Sequence, residues 1–223
     1  RQARHDAVKR CGDAKYAALN SELAQREIAA ILRSDLTLII SESEMALLTE
    51  HYGVPKSQLY YHPLVVGPTP SYSTTFEERA HFIHIGNFRH APNWDAVLHL
   101  KQTLWPAIKK ALPHAELHIY GAYPPKKATQ LHNDKQGFLV KGWAEDVTSL
   151  MASAKVLIAP LRFGAGIKGK LLDAMRCSTP SITTWVGVEG IISTSKNEST
   201  ECSSQTDLWP GAVCSTDITK PEV

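Results

Sequence analysis

Between residues 81 and 185 the apolar positions gather into short contiguous runs instead of alternating with polar ones. The runs are HFIHIG (81–86), ELHIYG (116–121), GFLVKG (137–142), KVLIAP (155–160) and PSITTW (180–185). Each has strand length, and strands without a two-residue period are those buried on both faces. Helix-forming stretches lie between them. A helix is predicted from about Pro92 to Leu112, with Pro92 in the tolerant first turn and a kink or break at Pro106. Another is predicted over VTSLMASA, capped by Asp146, and a third follows the glycine-rich loop that begins at Arg162. Strand and helix alternate throughout, which predicts an α/β domain with a parallel sheet covered by helices on both faces.

The pattern upstream is thinner. Leu23, Ile28, Ile31 and Leu32 give a helical stripe, and DLTLII (35–40) reads as a short buried strand. Ser41 and Glu44 have capping-box spacing at the head of a helix carrying Met45, Leu47 and Leu48, which Gly53 and Pro55 end. QLYYH is a second, weaker strand. The composition then turns to Pro, Gly, Ser and Thr, so the expected layout is a partial α/β segment over 1–62, a linker over 63–79 and the main domain over 80–223. NESTECSSQTD (197–207) reads as a polar surface loop, and WPGAV (209–213) as a last edge strand, with no closing helix after it.

Composition narrows the function. The 223 residues are 43% hydrophobic and 21% charged, with a net charge of +2, so no basic footprint calls for nucleic acid. Cys11, Cys177, Cys202 and Cys214 lack metal-ligand spacing and suit a reducing compartment. No run approaches the length of a transmembrane span, and RQARHDAVKR carries no secretory leader, so the chain reads as cytosolic and as part of something longer. Peripheral attachment to the inner face of a membrane stays open. His81, His84 and His90 invite a metal, but positions three apart on a strand face opposite ways, so no metal site is expected there.

The stretch RFGAGIKGKLLDAM (162–175) carries the chemistry. A helix start presents unpaired amides and about half a positive charge, glycines let an anion approach, and Lys168 and Lys170 add formal charge. Asp173 lies on the same side as Lys170, where it could accept from ribose hydroxyls. The alternative is a tight turn with solvated lysines and a Lys170–Asp173 surface pair. A Walker loop is absent, and a dinucleotide fingerprint over Gly164, Gly166 and Gly169 would follow the wrong strand.

The run PLRFGAGIKGKLLDAMRCSTPSITTWVGVEGI (160–191) resembles the donor-site segment of the family 4, group 1 glycosyltransferases, two-domain enzymes of the GT-B type. FIHIGNFRHAPNWDAV, LWPAIKKALPHAELHIYG and FLVKGWAEDVTSLMASAKVLIAPL support it in family order, and SDLTLIISESEMALL resembles the end of the family's first domain. The resemblance implies a Rossmann-like donor domain and a retaining transfer of sugar from a nucleotide-diphosphate donor. It implies no cofactor, no metal and an acceptor of unknown class (glycan, lipid or protein) bound by a first domain absent from this sequence. This chain alone would then be inactive.

By the same resemblance Gly86 and Asn87 face the diphosphate, and Ala165, Gly166 and Ile167 pass under the donor. Trp143 borders the base and Asp173 holds the ribose. Arg89, Arg162, Lys168 and Lys170 are candidates for phosphate charge, and Glu189 could reach a ligand hydroxyl. Two positions differ from the family: Ala165 stands where a glutamate is usual, and Asp173 is shorter than the usual glutamate. A non-catalytic nucleotide-binding module and a nicotinamide-dependent sugar-nucleotide epimerase are the other readings.

Overall fold

The structure is a computed structural model that describes residues 22–68, 74–164, 166–191 and 213–215. Two compact units divide it. One holds the chain up to Gly67 with Phe163–Ile167 and the segment starting at Val188; the other holds Pro68–Arg162, Lys168–Gly187 and the last strand.

In the first unit, helix α1 (Glu22–Leu32) leads to strand β1 (Thr37–Ile39), helix α2 (Glu42–Ala46) and a wide π-helical turn at Leu47–His51. Strand β2 (Leu59–Tyr61) pairs with β1 in parallel. Ile31, Ile39, Leu48, Val54 and Leu59 make a small core. The expected capping box does not close: Ser41 is the N-cap, but its hydroxyl bonds to Ser43 Oγ at 2.9 Å instead of to the helix amides. Leu36, Leu38 and Ile40 are exposed, so among the described residues one side of this two-stranded sheet has no cover.

The second unit contains strands β3 (Ala80–Ile85), β4 (Leu117–Tyr120), β5 (Phe138–Gly142), β6 (Ala154–Ala159), β7 (Ser181–Thr183) and β8 (Val213–Ser215). They form one six-stranded sheet in the order β5-β4-β3-β6-β7-β8, and every pairing is parallel. The order runs outward from β3 in one direction and then, from β6, in the other. Because right-handed crossovers are nearly obligatory, that reversal places the connecting helices on opposite faces. The contiguous apolar runs follow from this: β4 is buried over Leu117, His118 and Ile119, and β6 over Leu157, Ile158 and Ala159. The edge strand begins at Val213, while residues 209–212 of the predicted one lie outside the described residues.

The long helix predicted after β3 is two helices. Helix α3 (Ala91–His99) ends in a π-helical turn at Leu100–Leu104, and helix α4 (Trp105–Ala111) resumes the regular spiral. Pro106, in the first turn of α4, has no amide for the preceding turn, so the backbone widens and Trp105 N–H bonds Leu100 O instead. The break therefore precedes the proline. Trp105 fills the core beside Phe138, Leu100 and Leu117, and its Nε1 donates to Gln136 O at 2.7 Å.

A short helix α5 (Lys126–Thr129) follows β4, and helix α6 (Val147–Ser153) follows β5. Asp146 caps α6 as expected, accepting from the amides of Thr148 and Ser149. Helix α7 (Gly169–Arg176) follows β6, and the turn α8 (Trp185–Val188) follows β7. Among the described residues no helix is long and apolar enough to cross a membrane.

Candidate functional site

Ligands of open parallel sheets bind beyond the carboxyl ends of the strands, where the strand order reverses. In this sheet the reversal lies between β3 and β6. At the end of β3 the ladder runs into Gly86, whose amide bonds Tyr120 O at 3.1 Å. A Cβ at Gly86 would stand 2.5 Å from Asn93 Cγ, and one at Gly121 would stand 2.0 Å from Gly86 O. Both glycines are therefore required by the close approach of their neighbours.

Asn93, in the first turn of α3, organises the loop after β3. Its Nδ2 donates to Asn87 O at 3.0 Å, and its Oδ1 accepts from Lys170 Nζ at 2.8 Å. Asn87 in turn folds the loop on itself, its Oδ1 accepting the Arg89 amide at 2.8 Å. Phe88 is buried and pins the loop to the sheet.

Lys170 comes from the first turn of α7, and burial lowers its ammonium pKa to about 7. Beneath it lies His84, on β3 and fully buried. The His84 Nδ1 donates to Ile158 O at 2.8 Å, and its Nε2 is buried without a hydrogen-bond partner. Burial first, and the Lys170 charge second, hold this imidazole neutral, with a pKa of about 3. The order of the groups is then a neutral histidine, a lysine that titrates near neutrality, an asparagine bridge and a glycine loop. Such a set can meet an anion at the loop with a cation that is only partly hydrated beforehand.

The remaining predicted residues fall in several places. Lys168 is buried at the N-cap of α7. Arg162 forms a two-bond ion pair with Asp95 on α3, through its Nε at 2.8 Å and its terminal NH2. Arg89 lies over the Tyr123 ring at 3.8 Å. Asp173 pairs with Arg176 at 3.6 Å and Lys170 with Asn93, so the Lys170–Asp173 surface pair of the alternative reading does not form. Trp143 is 71% exposed at the end of β5. With Tyr120, Ala144, Glu145 and Ser149 it lines an open cleft of ≈ 530 Å³.

Gly166, Ile167 and Glu189 belong to the first unit, where Gly166 takes φ 68°. Ala165 lies outside the described residues. His84, Asn93 and Asp95 are the residues that spacing did not assign to the site. Asn93 and Asp95 sit in the run PNWD, and only the fold shows that this turn faces Lys170 and Arg162.

No curated protein matches the chain. Solved structures do. TarM from S. aureus, in complex with fondaparinux, alpha-GlcNAc-glycerol and UDP, superposes with a TM-score of 0.62 at 17% identity, covering 79% of this chain and 36% of its own. WaaG, a glycosyltransferase involved in lipopolysaccharide biosynthesis, gives 0.57 at 18% identity, covering 81% of this chain and 54% of its own. HepE from Anabaena, in complex with UDP and glucose, gives 0.54 at 12% identity, covering 73% and 48%. This chain thus spans roughly a third to a half of each of these structures, and at such identities the likeness establishes the fold, the Rossmann-like sheet of GT-B proteins. The sequence profile of the group 1 glycosyl transferases matches residues 79–207, more than half of the chain. The strand order, the glycine loops and that match converge, and the chain belongs to the glycosyl transferases group 1 family.

Proposed function

We propose that this chain is the donor-binding half of a retaining glycosyltransferase that transfers sugar from a nucleotide diphosphate to an acceptor held by another domain. The observation that carries the reading is Lys170, bonded to Asn93 directly behind the Gly86–Asn87 loop. In this reading the loop amides and Lys170 receive the diphosphate. Lys168 and the start of α7 add charge, Asp173 accepts from the ribose, and the cleft beside Trp143 takes the base. The phosphate charge is met by protein groups, so the transfer needs no cofactor and no metal. Arg162 and Arg89 act as supports: Arg162 fixes α3 through Asp95, and Arg89 stacks on Tyr123.

Two observations support a uridine nucleotide as the first donor to try: the TarM and HepE structures each contain UDP. The exposed side of β1 and β2 supports reading residues 1–62 as part of a larger acceptor-side domain, joined by the linker 63–79. Without that domain the cleft has one wall and cannot exclude water, so this chain alone binds donor without turning it over. The protein works in the cytosol, where nucleotide sugars are its partners.

A melting-temperature screen against UDP, GDP, ADP, UDP-glucose, GDP-mannose and NAD⁺ tests the proposal. At about 100 times its dissociation constant a ligand adds roughly 2.7 kcal/mol, which is several degrees for a domain of this size. The expected result is a shift with one nucleoside diphosphate and its sugar, lost in Lys170→Met. A shift with NAD⁺ alone would move the epimerase reading ahead.

A further inference from the structure

At the opposite end of β3 and β4 from the glycine loops, His81, Glu116 and His118 converge on one face of the sheet. We propose that they form a binding site for one divalent transition-metal ion of the zinc class. Parallel register sets Ile83 beside His118, so Glu116 and His118 project on the face that also carries His81, two residues before Ile83. His118 Nε2 lies 2.9 Å from Glu116 Oε2, and His81 Nδ1 lies 3.4 Å from the same oxygen. One donor atom from each residue falls within 4.8 Å of the others. Ligand atoms in a tetrahedral zinc shell, with bonds of about 2.0–2.1 Å, stand about 3.3 Å apart, so the cluster needs little movement to close on an ion.

His81 takes φ 65°, a left-handed conformation unfavourable for a side chain with a Cβ, and that conformation accompanies an imidazole stacked 4.1 Å from His118.

Lys141 on β5 sets a positive charge near Glu116 and His118. That charge works against hard cations held by charge alone and leaves the advantage to an ion with strong imidazole bonds. Two nitrogens and one oxygen leave a fourth position for water. The spacing HFIH could not reveal this site, because the partner of His81 lies across the sheet on β4 and not at His84.

The test is a titration of tag-free protein with Co²⁺, read by the visible absorption of tetrahedral cobalt, followed by displacement with Zn²⁺. One ion per chain is expected. His81→Asn and Glu116→Gln should each weaken binding at least tenfold; both side chains are about two-fifths exposed (43% and 42%), and asparagine tolerates the left-handed backbone. His132→Asn removes a histidine that pairs with Asp134 at 3.2 Å elsewhere on the unit and should leave binding unchanged. Absence of the tetrahedral spectrum overturns the proposal. So does a spectrum that persists in His81→Asn and Glu116→Gln, or one that disappears in His132→Asn.

Discussion

His84 and Lys170 are two ionisable groups carried into the interior of one sheet end; burial works against the charge of each, and the Lys170 charge adds to the effect on His84. His84 has its folded pKa near 3, below the ordinary value of 6.5, so the unfolded chain binds the extra proton. Its contribution is therefore present above about pH 6.5 and is lost as the pH falls toward 3. Melting temperature should decline through that window in the wild type and less steeply in His84→Gln, which thermal melts at half-unit pH steps will read. Lys170 acts with the same sign in a higher window: the unfolded ammonium is protonated from pH 7 to 10.5 while the folded one is not, so stability rises with pH across that interval. Gly121→Ala places a Cβ 2.0 Å from a carbonyl oxygen. A loss of about 1–3 kcal/mol or more is expected, measurable by urea denaturation. At this scale the sequence was only half legible. It pointed to Lys170 and Gly86 by residue type, but the Lys170–Asn93 bond joins positions far apart in sequence that no local pattern connects.

The elements were more legible, because apolar periodicity and capping chemistry are local. All five apolar runs are strands, and Asp146 caps α6 as its position before VTSLM implies. Asp146→Ala should lower the melting temperature modestly, through two lost amide bonds. Two local signals were overridden by their surroundings. Ser41 bonds Ser43 rather than closing a capping box, and the break expected at Pro106 falls one turn ahead of it, as a widened turn at Leu100–Leu104. Trp105 links that widened turn to the loop before β5 through Gln136 O. Trp105→Phe removes the part-buried bond to Gln136 O and should cost about 0.5–1.5 kcal/mol. Trp105→Ala also opens a cavity and should cost about 3–5 kcal/mol by chemical denaturation.

For the whole molecule, the strand order β5-β4-β3-β6-β7-β8 decides where function can lie. The reversal beside β3 puts the ends of β3 and β6 at one crevice, and the glycine loop and Lys170 both belong to that end of the second unit. The alternation of strands and helices predicted this architecture, but strand order itself is a tertiary property that the apolar pattern does not encode. The small first unit, with Leu36, Leu38 and Ile40 exposed, fits a chain that spans only part of its structural relatives.

The central claim is that Lys170 meets the donor diphosphate, and isothermal titration of UDP near pH 7.5 in two buffers of different ionisation enthalpy tests it most directly. An amine with a free pKa of about 7 must gain a proton when an anion binds beside it. The expected result is a buffer-dependent enthalpy that corresponds to net proton uptake, weaker binding as the pH rises past 7, and loss of both effects in Lys170→Met. UDP binding with no proton uptake, or with unchanged affinity in Lys170→Met, would contradict it.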